Sequence, residues 1–92
     1  MKISDKKRDK ILEQILAYLY SISPKSAFTF TIAQEIARDE EFVKSLLLSL
    51  KKKNFVLEVK KSPKGVVYSK RSRWALTDHT YTLYKQRQNH LL

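Results

Sequence analysis

Ninety-two residues with 42% hydrophobic content make one domain spanning 1–92, with a single modest core and no room for separate cofactor and substrate domains. The lack of cysteine excludes disulfides, thiolate zinc sites and a Cys nucleophile, and a single glycine excludes phosphate loops and dinucleotide fingerprints that need several. The formal net charge of +10 is segregated: residues 1–41 hold seven Lys/Arg and seven Asp/Glu, whereas 42–92 hold twelve Lys/Arg against Glu58 and Asp78 alone, so an anionic partner prefers the second half.

The first predicted helix covers about 5–22, with Ser4 or Asp5 as its cap. Ile11, Leu12, Ile15, Leu16, Leu19 and Ile22 recur along it at helical spacing. Pro24 disfavours a helical residue before it and ends the segment. After a loop at 23–27, Phe28-Thr29-Phe30 alternates apolar, polar, apolar and predicts a short strand. Thr31 then caps a second helix at 32–38 that buries Ile32, Ala33, Ile36 and Ala37. A third helix at 40–53 is capped by Asp39 and buries Phe42, Val43, Leu46, Leu47 and Leu50. It runs into Lys51-Lys52-Lys53, whose charge favours the carboxyl end of the helix dipole, and Asn54 supplies a left-handed stop.

Beyond Asn54 the apolar period changes from 3.6 to 2, which predicts a hairpin over about 55–76. Phe55, Leu57 and Val59 alternate with Val56, Glu58 and Lys60, and Ser62-Pro63-Lys64-Gly65 carries turn chemistry. The return strand runs from Val66 to Leu76 and places Tyr68, Trp74 and Leu76 on one face. Trp74 is accordingly a packing residue rather than a base-stacking one. Thr77 or Asp78 caps a last helix at 78–88 containing Tyr81, Leu83 and Tyr84.

The order helix, strand, helix, helix, hairpin, helix resembles the winged helix-turn-helix fold of small prokaryotic or archaeal transcriptional regulators. The resemblance rests on Ala33, Ile36, Ala37 and Asp39 in the helix-turn-helix, then Val43, Leu47, Leu50 and Asn54-Phe55-Val56 through the recognition helix and its exit. Leu76-Thr77-Asp78 completes it, and together these cover about Arg8 to Thr80. Ala37 stands where the family usually has Gly, Arg38 where an aliphatic often packs, and the recognition helix opens with Asp39-Glu40-Glu41. The resemblance implies an α+β fold: a three-helix core, a β-hairpin wing and a C-terminal helix. It implies double-stranded DNA as the partner and transcriptional regulation by occupancy as the function.

With Val43, Leu47 and Leu50 inside, the outer face of the third helix carries Glu40, Glu41, Lys44, Ser45, Leu48 and Ser49. Lys44, Ser45 and Ser49 are the candidates on it for phosphate or base edges. Glu40 and Glu41 complement the helix dipole and oppose deep phosphate contact, the alternative being that a Glu accepts from a cytosine amino group. The wing is the stronger source of affinity, because Lys60, Lys61, Lys64, Lys70, Arg71 and Arg73 lie within one stretch that holds no acid. Edge protection accounts for some of these lysines but not for the missing acids. Lys51, Lys52 and Lys53 are a solvated helix end.

No catalytic, cofactor-binding or metal-binding residues are expected: His79 and His90 are isolated, and no serine sits in a nucleophile elbow. The longest apolar run, Ile15 to Tyr20, is far short of a membrane span, so a cytoplasmic, non-enzymatic protein is expected, with no membrane or small-molecule partner evident. Apolar residues on the first and last helices offer a surface for a homodimer, the competing account being that Tyr81 and Tyr84 cover the chain's own first helix. The alternative function is a winged-helix module for protein or RNA assembly, which the acidic start of the recognition helix favours.

Overall fold

The computed structural model describes residues 5–60 and 72–91, with side chains up to 87. The elements in chain order are α1 (Asp5–Ile22), β1 (Ala27–Phe28), α2 (Thr29–Glu35), α3 (Glu40–Lys52), β2 (Val56–Val59), β3 (Arg73–Leu76) and α4 (Asp78–Leu91). The α+β order matches the sequence expectation, and α1 keeps its expected bounds.

The helix-turn-helix region is where the expectation fails in detail. The strand covers Ala27–Phe28 rather than 28–30, and α2 begins at Thr29 and ends at Glu35 rather than spanning 32–38. Thr31 is inside the helix and is not its cap; that position falls to Phe28, which makes no side-chain capping bond. Thr29 takes another role, since its hydroxyl accepts the indole N–H of Trp74 at 2.8 Å. Both residues are buried, so this bond satisfies a donor that would otherwise be stranded in the core. The strand is short because only Ala27 and Phe28 find partners, Trp74 and Arg73, on β3.

Helices α2 and α3 end in the same way. Beyond α2, Ala37 takes φ 55°. The amide of Arg38 reaches back to the Ala33 carbonyl, and that of Ala37 to Gln34. Beyond α3, Asn54 takes φ 64°. There Phe55 N–H reaches the Leu50 carbonyl, and Asn54 N–H that of Lys51. These paired bonds satisfy helix-end carbonyls and require a left-handed residue, which Asn tolerates better than Ala. Asn54 thus forms the stop its sequence position predicts. Ala37, expected on the buried face of the second helix, is instead exposed beyond its end and takes the left-handed position of the turn.

The start of α3 is fixed by Asp39, whose carboxylate accepts the amide of Phe42 at 3.1 Å. At α4 the cap is Thr77: its hydroxyl oxygen accepts the Thr80 amide at 3.2 Å, and Asp78 stands in the first turn. The helix continues three residues beyond the expected end at 88, to Leu91.

The three strands form an antiparallel sheet in the order β1-β3-β2. One core joins Ile11, Ile15 and Leu19 of α1 to Ile32 and Ala33 of α2. Val43, Leu46, Leu47 and Leu50 of α3 complete it from the helices, while Ala27, Val56, Trp74 and Leu76 close it from the sheet. Trp74 is wholly buried, as strand alternation requires. Helix α4 lies against α1 through aromatic contacts, with the Tyr20 ring 5.2 Å from Tyr81 and 5.7 Å from Tyr84. An exposed ion pair, Arg87 to Glu13 at 3.6 Å, follows the same seam. Burial and then the Glu13 carboxylate push the Tyr84 phenol above its ordinary value.

Candidate nucleic-acid interface

Burial of Val43, Leu46, Leu47 and Leu50 orients α3 and leaves its opposite face to solvent. Glu40, Glu41, Lys44, Ser45 and Leu48 are exposed there, and Ser49 is half-buried. Ser45 donates its hydroxyl to the Phe42 carbonyl at 2.6 Å, so its hydrogen is used within the helix and a lone pair remains for a partner. Phe42 packs half-buried against the core, whereas Leu48 is 46% exposed.

The carboxyl end of α3 is joined to the hairpin by one carboxylate. Glu58 of β2 accepts the Lys51 ammonium at 2.7 Å and the hydroxyl of Ser72, the residue preceding β3. The Glu58 side chain is 12% exposed and that of Lys51 46%. Hydrogen bonds from Lys51 and then Ser72 hold the Glu58 carboxyl below the usual carboxylate range, against the opposing effect of burial. The geometry follows from Asn54, whose left-handed conformation turns β2 back beside the last turn of α3. Glu58 is the only acid in the sequence between Phe42 and Thr77, and it is engaged internally. The pair also occupies Lys51, and Lys44, Lys52, Lys53 and Lys60 are the other exposed lysines among the described residues from α3 through Lys60.

Sequence reasoning counted Glu58 only as an acid and missed this link. The signal available was a helix stop at Asn54 between Lys51 and an acid seven residues on, but no local pattern specified Ser72.

Lys60 follows β2 directly and is exposed. Arg73 is placed differently from a tip cation. It pairs across the sheet with Phe28 and Val59, and its guanidinium carbon stands 4.7 Å from the Phe28 ring centroid. It is half-buried at the base of the hairpin, within range of a cation–π attraction. Lys61, Lys64, Lys70 and Arg71 lie outside the described residues, as do Tyr68 and the expected turn at 62–65. Lys51, Lys52 and Lys53 are exposed, but Lys51 does more than solvate the helix end.

Among the described residues there is no group of three or more His, Asp or Glu side chains placed to hold a metal ion, and no helix long and apolar enough to cross a membrane. His79 is exposed in the first turn of α4.

No protein-family model and no protein of curated function matches the sequence. Solved structures do match the fold. A Zalpha domain of Carassius auratus PKZ, in complex with Z-DNA, is 22% identical with a TM-score of 0.62, covering 77% of this chain and 98% of that one. MepR of S. aureus in complex with DNA is 22% identical with a TM-score of 0.67, covering 91% of this chain and 73% of that one. A ZitR variant of Lactococcus lactis in apo form is 14% identical with a TM-score of 0.64, covering 92% of this chain. This chain spans 61% of that ZitR structure and 62% of a second MepR structure. These are winged-helix structures, and the chain has the winged-helix fold.

Proposed function

We propose that this winged-helix domain binds double-stranded DNA and acts as a small transcriptional regulator by occupying its site. The observation that carries the reading is the engagement of Glu58 by Lys51 and Ser72. It occupies the one acid between Phe42 and Thr77 at the cost of one lysine, leaving Lys44, Lys52, Lys53 and Lys60 exposed. Two of the similar structures contain DNA, which supports the same choice of partner.

In this reading α3 lies against a groove. Lys44 meets phosphate, and Ser45 and Ser49 offer hydroxyls to phosphate or base edges. Lys60, Lys61, Lys64, Lys70 and Arg71 track the backbone along the wing. Arg73 contributes charge from the base of the ribbon while held over Phe28. No residue is assigned catalysis.

A second reading, assembly with RNA or an acidic protein, is favoured by one observation: Asp39, Glu40 and Glu41 are all exposed at the start of α3, where they repel phosphates. Fluorescence titration against right-handed duplex DNA, left-handed duplex DNA, single-stranded DNA and RNA separates the two. Tightest binding to a duplex supports the regulator; preference for RNA, or no binding to any nucleic acid, replaces it with assembly.

The regulator reading includes a homodimer through α1 and α4, which places two helices on two half-sites. Tyr81 and Tyr84 contact Tyr20 of the same chain, and among the described side chains of α4 Leu83, 46% exposed, and Tyr81, 36% exposed, are left to support the contact. Sedimentation at micromolar concentration tests it. Twice the chain mass of 10.9 kDa supports pairing, and the single mass removes the dimer from the reading.

A further inference from the structure

We infer that Leu48 is a specificity-determining residue that reads the C5-methyl group of a pyrimidine in the major groove, thymine in unmodified DNA. The inference rests on the duplex-binding reading above and says what that surface recognises.

The argument is one of inventory and position. Helix α3 contains no Arg, Asn or Gln, so among the side chains that pair with guanine or adenine edges it offers lysine alone. Of the polar groups on its open face, Lys44 is a single point charge suited to phosphate, and Ser45 has already given its hydroxyl hydrogen to Phe42. Glu40 and Glu41 belong to the first turn, where they complement the helix dipole. Leu48 remains. It is 46% exposed, while Val43, Leu46, Leu47 and Leu50 are buried and Phe42 packs beside them. It lies one turn beyond Lys44 and one turn before Lys52, so exposed cations flank it on both sides along the same helix, Lys51 being paired with Glu58.

A leucine forms no hydrogen bond, and its exposure in the free domain is unfavourable. In a major groove, the base feature that rewards an apolar side chain is the C5-methyl group, carried by thymine and by 5-methylcytosine. Flanking cations that contact phosphates would set the depth at which Leu48 meets that methyl.

The test uses the full chain and short alternating duplexes, so no operator need be known. One pair contains A·T steps with thymine, or the same duplex with uracil. The other contains G·C steps with 5-methylcytosine, or the same duplex with cytosine. The wild type should bind the methylated member of at least one pair more tightly, by about fourfold to fifteenfold, as burial of one or two methyl groups implies.

Leu48→Ala should bring that ratio close to one, chiefly by weakening binding to the methylated duplex. Leu48→Met, which keeps an apolar reach, should retain it. Comparing ratios between variants cancels any effect of the methyl group on duplex shape. Since Leu48 is exposed, circular dichroism and the melting temperature of both variants should match the wild type.

Equal wild-type affinity within both pairs overturns the inference while leaving duplex binding intact. Discrimination that survives in Leu48→Ala assigns methyl recognition elsewhere and overturns it equally. Failure to bind any duplex removes the DNA reading itself, and the inference with it.

Discussion

Replacing Glu58 with Gln keeps the side-chain shape and an acceptor for Ser72 but removes the charge that Lys51 meets at 2.7 Å. Exposed ion pairs contribute up to about 1 kcal/mol. Here one partner is 12% exposed and the other 46%, which places the pair at the upper end of that range but discounts it for solvent screening on the lysine side. The expected loss is about 0.5–1 kcal/mol, equivalent to about 2–8 °C in melting temperature for a domain of this size.

The pH dependence has a definite sign. The folded-state value of Glu58 is depressed, so its contribution is complete above the unfolded-state value of about 4.3 and is lost as pH falls through the folded value. Thermal melts of both proteins from neutral pH into the acid range therefore start apart and converge. DNA affinity should move the other way, because the variant carries one more net positive charge beside the interface. Identical melting temperatures at neutral pH, or a gap that persists unchanged in acid, would refute the latch between α3 and the hairpin.

Thr29→Val retains the shape of a buried residue but strands the Trp74 indole N–H, so chemical denaturation should show a loss of about 1–3 kcal/mol. A change below a few tenths would mean that the bond contributes nothing net. Ala37→Gly relieves a left-handed alanine costing about 1–2 kcal/mol and adds back about 0.4–1 kcal/mol of unfolded-chain entropy. It should therefore stabilise the domain by about 0.5–1 kcal/mol in the same assay, and destabilisation would contradict the strain argument. Glu40→Gln combined with Glu41→Gln should strengthen non-specific duplex binding and cost about 0.3–1 kcal/mol per charge through the helix dipole. Binding that weakens for one sequence alone would instead identify a glutamate as a base reader.

Much of this architecture is legible in the sequence, because long amphipathic segments and a change of apolar period leave few alternatives. Ile11, Ile15 and Leu19 define α1, Val43, Leu46, Leu47 and Leu50 define α3, and Asn54 marks where the period changes. The short elements are not legible in the same way. Thr29 alternates correctly for a strand, yet tertiary pairing ends β1 at Phe28 and the Trp74 indole claims the Thr29 hydroxyl from 45 residues away. Local propensity carries no information about such a partner.

The candidate interface divides along the same line. The outer face of α3 follows from its buried face, so Lys44, Ser45 and Leu48 emerge on the expected side. The link from Lys51 through Glu58 to Ser72, and the stacking of Arg73 on Phe28, depend on strand register and leave no trace in local spacing.

The central claim, that duplex DNA binds through the cationic wing beside α3, is tested most directly by the salt dependence of affinity. Affinity measured over a salt series should fall with a log-log slope of about −0.9 for each phosphate neutralised, with about 4 to 8 phosphates expected for a dimer. Lys64→Ala, Lys70→Ala and Arg71→Ala combined should flatten that slope while the melting temperature stays unchanged. A slope identical to that of the wild type would contradict the account, because the wing would then carry none of the phosphate contacts.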